Sequence, residues 1–398
     1  MRSPSPPAPA QSRRDRTETY QRLEAIPFAL AHVACLGAIW TGVQGSDLAI
    51  AGGLYALRMF AVTAGYHRYF SHRAFKTGRA FQFILAFLAQ TSAQRGVLWW
   101  AANHRHHHRY SDTAEDTHSP VRDGFWHAHL GWFFTERRTR TDLAAIRDLA
   151  KYPELRWLDR HPYLPAVLAG FVVWLLAGWS SLVVGFFWST VAVWHATFSI
   201  NSLAHVIGRR RYVTGDQSRN NWWLALLTFG EGWHNNHHHY QSAARQGFRW
   251  YEFDVSFYVL KTLSATGLIW DLRAPPADVV RGELPLRPAV VERAASLLAA
   301  SFPVERIAAD LRAHLAGRVE DWRHRLDGRV AAMRRDLEEM IRTAHLPPMP
   351  TVSELHARAA LLFARGPSMN DIVGRARQKL IQGVCEALLG GEAAAARA

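Results

Sequence analysis

The sequence predicts an all-α integral membrane protein with four transmembrane helices, arranged as two hairpins and capped by a cytosolic helical domain rich in histidine. Three observations predict it. Four apolar stretches, at about 26–43, 48–66, 162–179 and 182–200, each approach the roughly 20 residues a helix needs to cross a bilayer. Charge is segregated around them: the turns Gln44-Gly45-Ser46-Asp47 and near Ser180 hold no Lys or Arg, whereas the N-terminal tail, segment 67–161 and everything beyond 200 are Arg-rich. Positive segments stay cytoplasmic, so both termini and both long segments belong on that side. Finally, there are three histidine clusters, His67-Arg68-Tyr69-Phe70-Ser71-His72, His104-Arg105-His106-His107-His108 and His234-Asn235-Asn236-His237-His238; one full hairpin lies between the second and the third, so they return to the same face.

Composition sets the outer bounds. The chain has 398 residues, a net charge of +14, and 16 Trp and 20 Phe, many beside the apolar runs, as in the aromatic belts of membrane proteins. A mean hydropathy of −0.13 averages over this segregation. The basic balance suits anionic lipid or an acidic partner; no helix-turn-helix or zinc-finger spacing points to nucleic acid. Cys35 and Cys385 are the only cysteines, too few for a disulfide framework or a thiolate cluster. Any metal is therefore held by nitrogen and oxygen. The Arg- and Ala-rich usage points to a GC-rich bacterial genome, hence to an inner (plasma) membrane.

Residues 1–20, rich in Pro, Ser and Arg without an apolar core, read as a disordered basic tail rather than a secretory signal. Residues 21–275 form the membrane domain. Within it, 79–100 is interrupted by Gln82, Gln90, Thr91, Ser92, Gln94 and Arg95 and reads as a helix lying in the interface. Were it to cross, the first two histidine clusters would be parted by the bilayer. Segments 222–229 and 248–270 read the same way. Arg58, inside the second span, reads as a structural hydrogen-bonding residue, with a substrate contact as the alternative. After Ala274-Pro275-Pro276, residues 276–398 are a helical extension, with amphipathic stretches at 287–301, 304–343 and 352–365.

The ligand pattern is specific. His104, His107 and His108 are spaced i, i+3, i+4, as are His234, His237 and His238, and that spacing places three rings on one helical face. His67 and His72 are five apart, at a point where a helix leaves the membrane and loosens. Asn201 and His205 are four apart at the end of the fourth span. Nine imidazoles exceed the needs of one ion and suit two with open positions. Closed structural zinc needs only four ligands, so the number favours redox iron. Asp112, Glu115, Asp116 and Glu231 are candidates to orient the imidazoles. His106, His118, His127, His129, His161 and His239 read as solvated or capping residues.

At this point the chain resembles the membrane fatty acid desaturases, specifically the stearoyl-CoA (Δ9) type. The residues that carry the resemblance are HRYFSH at 67–72, HRHHHRYSDT at 104–113, NSLAH at 201–205 and GEGWHNNHH at 230–238, and it covers about 25–275. It implies two irons per chain held by His67, His72, His104, His107, His108, His205, His234, His237 and His238, with Asn201 reaching a metal through water. It also implies a bent acyl tunnel shaped by Gln94, Trp100 and Thr197 and closed by Tyr55. The reaction implied is an O2-dependent cis-desaturation of a long saturated acyl thioester, acyl-CoA being favoured. Where the family grips the CoA head group this chain has Arg95, Ala102, Asn103, Glu136 and Arg137, which leaves another thioester or a phospholipid open. Arg137, Arg138 and Arg140 read either as phosphate contacts or as a solvated basic face. No dinucleotide-binding glycine turn is present. Electrons are thus expected from a separate carrier, ferredoxin- or cytochrome-b5-like with its reductase. Two rival functions remain at this stage: a membrane di-iron lipid or alkane hydroxylase, and a histidine-rich metal-binding or transport protein.

Overall fold

The computed structural model describes residues 22–135, 140–314, 349–364 and 366–395, with positions 335, 338, 339 and 341. The expected tail at 1–20, Glu136, Arg137, Arg138 and much of 304–343 lie outside the described residues. The fold is mostly helical, with a single two-stranded ladder among the described residues, Lys76–Thr77 (β1) against Ile269–Trp270 (β2), antiparallel. The chain divides into two compact units. One comprises the described residues up to Leu203 with Leu263–Trp270, the other Ala204–Thr262 with the residues from Asp271 onward.

The first unit holds the apolar helices. Helix α1 (Arg22–Cys35) is followed after a turn by Ala38–Thr41, so the first expected span is broken at Leu36-Gly37. Helix α2 (Gly45–Phe60) continues into a π-helix, Ala61–Ser71. By length and composition Gly45–Ser71 can cross a membrane, and so can Leu164–Val206. The latter contains α5 (Leu164–Ser180), a π segment Ser181–Trp188 and α6 (Ser189–Val206). Its 43 residues rise about 65 Å if straight, twice a bilayer core, and they are not straight. Gly178, with φ 79° and ψ −169°, breaks the helix and turns it back. A Cβ on Gly170 would lie 3.3 Å from the Phe186 ring, so α5 and the segment after the break lie side by side. Asp47, buried at the start of α2, accepts hydrogen bonds from the Ser180 and Ser181 hydroxyls (3.3 and 2.5 Å) and pins that turn.

Arg58 is fully buried. Its Nη1 donates to Ser189 Oγ at 3.0 Å and Thr190 Oγ1 at 2.8 Å, and its guanidinium lies 4.4 Å over the Phe186 ring. These contacts fit the structural reading of this arginine, while its Nε and Nη2 have no hydrogen-bond partner among the described residues. Helix α3 (Arg79–Gln90) has 12 residues, about 18 Å and too short to span. A break at Thr91–Gly96 separates it from α4 (Val97–Tyr110), so 79–100 does not form one crossing helix.

In the second unit the short helices α7 (Trp222–Leu227) and α8 (His234–His239) precede α9 (Val255–Ala265). Trp222, Leu226 and Leu227 are exposed, an apolar face on a surface helix. Beyond the proline linker, α10 (Pro288–Ala300), α11 (Val304–His314), α12 (Val352–Leu362) and α13 (Met369–Ala395) bury Leu298, Leu311, Leu355, Ala376, Leu380 and Val384 in one cluster. The extension thus packs its helices on one another, and Val213 joins the same cluster. Its longest helix, α13, was missed in the sequence reading: its Gly374, Gly383 and Gly390 dilute the periodic signal.

Candidate metal centre

In a π-helix the hydrogen bond runs from residue i+5 to i, so residues five apart share a face. The His72 amide donates to the His67 carbonyl at 3.2 Å, and the two rings stand 4.8 Å apart between centroids. The odd spacing of the first cluster is thus a consequence of the widened helix. On α4, His104 and His108 are one turn apart. Ligand atoms of His67, His72, His104 and His108 all lie within 4.8 Å of one another. His104 Nε2 sits 2.9 Å from both His72 Nε2 and His108 Nε2. A ring nitrogen carries one proton or one lone pair in its plane and cannot satisfy both neighbours by hydrogen bonding. Two imidazole nitrogens each about 2.1 Å from one ion and at right angles would be about 3 Å apart. The spacing fits a cation.

The second unit holds a matching set. His205, on the last turn of α6, and His234 and His238 on α8 bring their ligand atoms within 4.8 Å of one another, with His205 Nε2 3.1 Å from His234 Nε2. His237 is buried three residues on from His234. His238 Nδ1 donates to Asp216 Oδ2 at 2.8 Å. Asp216 is otherwise held by the hydroxyls of Thr214 (2.7 Å) and Ser218 (2.5 Å) and by the Ser218 amide (3.0 Å). In the first unit His107 Nδ1 donates to Asp116 Oδ1 at 3.1 Å, and the Asp116 carboxylate also accepts the Asp112 amide. Burial pushes both aspartates up, but their histidine neighbours outweigh it and hold both carboxyls well below the usual range. Each is therefore an ionised acceptor that fixes which imidazole nitrogen faces outward, a common support for metal-bound histidine. The donor set fits a pair of cations.

Asp116 was expected in this role. The carboxylates of Asp112, Glu115 and Glu231 accept from Ser119 (2.6 Å), Thr113 (3.2 Å) and Gln246 (3.3 Å). Asp216 was missed; it stands 18 residues before the third cluster, and only the turn Thr214-Gly215-Asp216 hints at it. His118 departs from its expected solvated role: it is buried, 3.8 Å from Asp116 and 4.3 Å from the His107 ring. His129 departs likewise. It joins a partly buried relay in which His32 Nε2 and His195 Nε2 are 3.0 Å apart, His195 Nδ1 and His129 Nε2 3.1 Å, and His129 Nδ1 and Ser202 Oγ 2.9 Å.

The asparagines between the histidines were not singled out either, and they wire the third cluster in place. Asn235 Oδ1 accepts the Arg211 and Tyr212 amides at 2.7 and 2.8 Å. Asn236 Nδ2 donates to the Gln246 carbonyl and to Glu252 Oε2, each at 2.9 Å, while its Oδ1 accepts from Asn220 Nδ2 at 2.7 Å. Arg211 closes the ring through an ion pair with Glu252. Gly232 has no room for a side chain: a Cβ would be driven into the backbone of Ala225 and Asn221.

Beside His104 lies a small pocket lined by Gln94, Trp100, Thr197, Phe198, Phe133 and Asn201 among others. Gln94 Nε2 donates to Thr197 Oγ1 at 3.2 Å, and Trp100 stacks between Tyr66 (5.3 Å) and His104 (4.8 Å). Gln94, Phe133 and Phe198 also border a larger apolar cavity of about 530 Å³. Tyr55, half-buried on α2, lines neither. Arg95 lies over Trp99 and Phe133, and Ala102 and Asn103 are buried.

The family model for fatty acid desaturases matches residues 40–264, over half of the chain and all three histidine clusters. The chain belongs to the fatty acid desaturase family. It is 37% identical over 252 residues to an acyl-CoA 5-desaturase of Anemone leveillei, covering 61% of this chain and 77% of that one. It is 38% identical over 216 residues to the sn-1 stearoyl-lipid 9-desaturase of Synechocystis, covering 54% and 68%. Against delta-9 acyl-lipid desaturase 2 of Arabidopsis thaliana it is 32% identical over 290 residues, covering 69% and 92%. This desaturase is therefore an oxidoreductase acting on fatty acyl chains, in a family whose di-iron chemistry is generic.

Proposed function

We propose that this desaturase places a cis double bond near the middle of a long saturated acyl chain, as a Δ9-type enzyme, using two irons per chain. The observation that carries the reading is the pocket beside His104, where Gln94, Trp100 and Thr197 meet. His67, His72, His104 and His108 would hold one ion, His205, His234 and His238 the other; His107 and His237 complete the nine, and Asn201 acts through water. Bound iron would activate O2, the oxidant, to take hydrogen from unactivated methylenes.

The protein's own residues do the rest. Asp116 and Asp216 orient His107 and His238. The Gln94–Thr197 hydrogen bond and the Trp100 ring form a polar bend in an otherwise apolar path, which fixes one carbon pair against the histidines and excludes water. Overall, one O2, two electrons, two protons and two substrate hydrogens give two waters and the alkene. The electrons come from a separate acidic carrier, ferredoxin- or cytochrome-b5-like, attracted to the basic cytoplasmic surface. Four spans, with the break at Gly178 separating the last two, and both termini in the cytoplasm of a bacterial inner membrane complete the proposal. The segregation of Arg and the exposed apolar helices support it.

Expression in a bacterial host lacking its own desaturase tests the reading. A monounsaturated fatty acid with its double bond at C9 is expected, absent with His237→Ala. An unchanged lipid profile in both strains overturns it, and a hydroxylated product replaces desaturation by hydroxylation.

A further inference from the structure

The larger cavity has no role in binding metal, and its walls and rim say what it takes. It is bordered by Pro27, Phe28 and Ala31 of α1, by a stripe of α5 from Tyr163 to Trp174, and by Trp194 and Phe198 of α6. Its polar lining groups are already engaged. Thr190 Oγ1 donates to the Phe186 carbonyl and accepts from Arg58, and Gln94 is bonded to Thr197. A volume of about 530 Å³ lies within the roughly 300–1,000 Å³ of ligand sites. Gln94, Phe133 and Phe198 wall both this cavity and the pocket at His104, so the two lie side by side.

Its rim consists of apolar side chains exposed on the outer face of a membrane-crossing helix: Val167 (64% exposed), Phe171 (53%) and Trp179 (64%). An opening walled this way faces hydrocarbon, since in water so large an apolar patch would be a liability. At the end nearest Tyr163 the chain becomes amphipathic. Helix Pro153–Arg160 buries Leu155 and Leu158 and exposes Arg156 and Trp157; Arg160 and His161 are exposed immediately before Tyr163. Arginine and tryptophan at that junction suit an anionic lipid headgroup at the interface.

We propose that this cavity is a lateral acyl site, entered from within the bilayer by a chain esterified in a membrane glycerolipid whose headgroup rests against Arg156 and Arg160. This rests on the desaturase reading and names its substrate class: the acyl-CoA expected from the sequence gives way to a lipid-linked chain. The occupant follows from the place of the cavity against the histidine pocket, from the hydrocarbon-facing rim and from the cations at one end.

The test uses the full chain in nanodiscs containing a phosphatidylglycerol with a diazirine near the end of one acyl chain. Irradiation is expected to label peptides within 164–179 and 194–198. Ala166→Trp, which fills the cavity, should lower that labelling at least tenfold without changing iron content. Val167→Trp at the exposed rim, where folding is not at stake, should lower it several-fold. In the desaturase-lacking host, a pulse of labelled acetate should show double bonds arising in glycerolipids while the acyl-thioester pool stays saturated. Equal labelling of wild type and both variants overturns the lateral site, as does labelling only by a diazirine acyl-CoA. Double bonds arising first in the thioester pool overturn it too while leaving the desaturase reading intact; no double bond anywhere sinks the parent reading instead.

Discussion

Asp216→Asn is expected to weaken iron binding more than Asp216→Ala, although it is the smaller change. Oδ1 of Asp216 is held by two hydroxyls and an amide at 2.5–3.0 Å. In the asparagine variant the amide oxygen stays on that side, because the Ser218 amide can only donate. The amide nitrogen then falls where Oδ2 was, 2.8 Å from His238 Nδ1, and two donors face each other. The cheapest escape moves the His238 proton to Nε2, which removes the lone pair a metal needs. Losing such a supporting carboxylate typically costs 10- to 100-fold in metal affinity, about 1.4–2.7 kcal/mol, and the asparagine should fall at the upper end. The alanine variant leaves the proton free to stay on Nδ1 but strands Thr214, Ser218 and His238, at roughly 1–3 kcal/mol per buried group. It should unfold at lower temperature yet retain more iron per folded molecule. Competition with a calibrated chelator, read by elemental analysis on folded protein, measures the first quantity; thermal unfolding in detergent measures the second. Equal iron retention in Asp216→Asn and wild type would refute the tautomer argument.

Three further outcomes are expected. Asn236→Leu strands the Gln246 carbonyl, the Glu252 carboxylate and the Asn220 amide, and the melting temperature should fall by on the order of 10 °C; a fall under about 2 °C contradicts the wiring role. Gly232→Ala forces a methyl into neighbouring backbone and should cost about 3 kcal/mol or more, seen as loss of folded protein on size-exclusion chromatography, whereas Gly374→Ala, with open space around it, should be harmless. Asp159 accepts the Leu98 and Trp99 amides at the start of α4, and burial, only partly offset by those bonds, pushes its carboxyl up. Its protonated form is favoured by folding, so the associated stability is full below the ordinary carboxyl pKa of about 4 and is lost as pH rises through the raised value. Asp159→Asn should therefore raise the melting temperature at pH 8 but not at pH 4; a gain confined to acid pH would reverse the sign.

Much of the metal centre was legible because its chemistry is local. Ligands i, i+3 and i+4 on a helix announce themselves, and His104, His108, His234 and His238 sit where the spacing puts them. What supports them is not local. Asp216 reaches His238 across 22 residues and Asn220 reaches Asn236 across 16, distances at which no periodicity survives. The apolar runs were legible as runs, but the break at Leu36-Gly37 and the reversal at Gly178 depend on single backbone conformations. For Tyr55, position along a helix gives depth but not direction, and neither of the two cavities described above is bordered by it.

The relay from Ser202 through His129 and His195 to His32 ends on the Phe28 carbonyl, 2.8 Å from His32 Nδ1. A carbonyl only accepts, so His32 must give its single hydrogen there and receive at its other nitrogen, and the same constraint passes ring by ring to His129 Nδ1, which competes with the Phe198 carbonyl, 3.1 Å from Ser202 Oγ, for the one serine hydrogen. Every imidazole in the row is spoken for on both edges. In a chain with 21 histidines, such pairing separates identical donors without changing one atom of their chemistry: these rings are occupied by one another, whereas those of the clusters converge on a space that suits a cation.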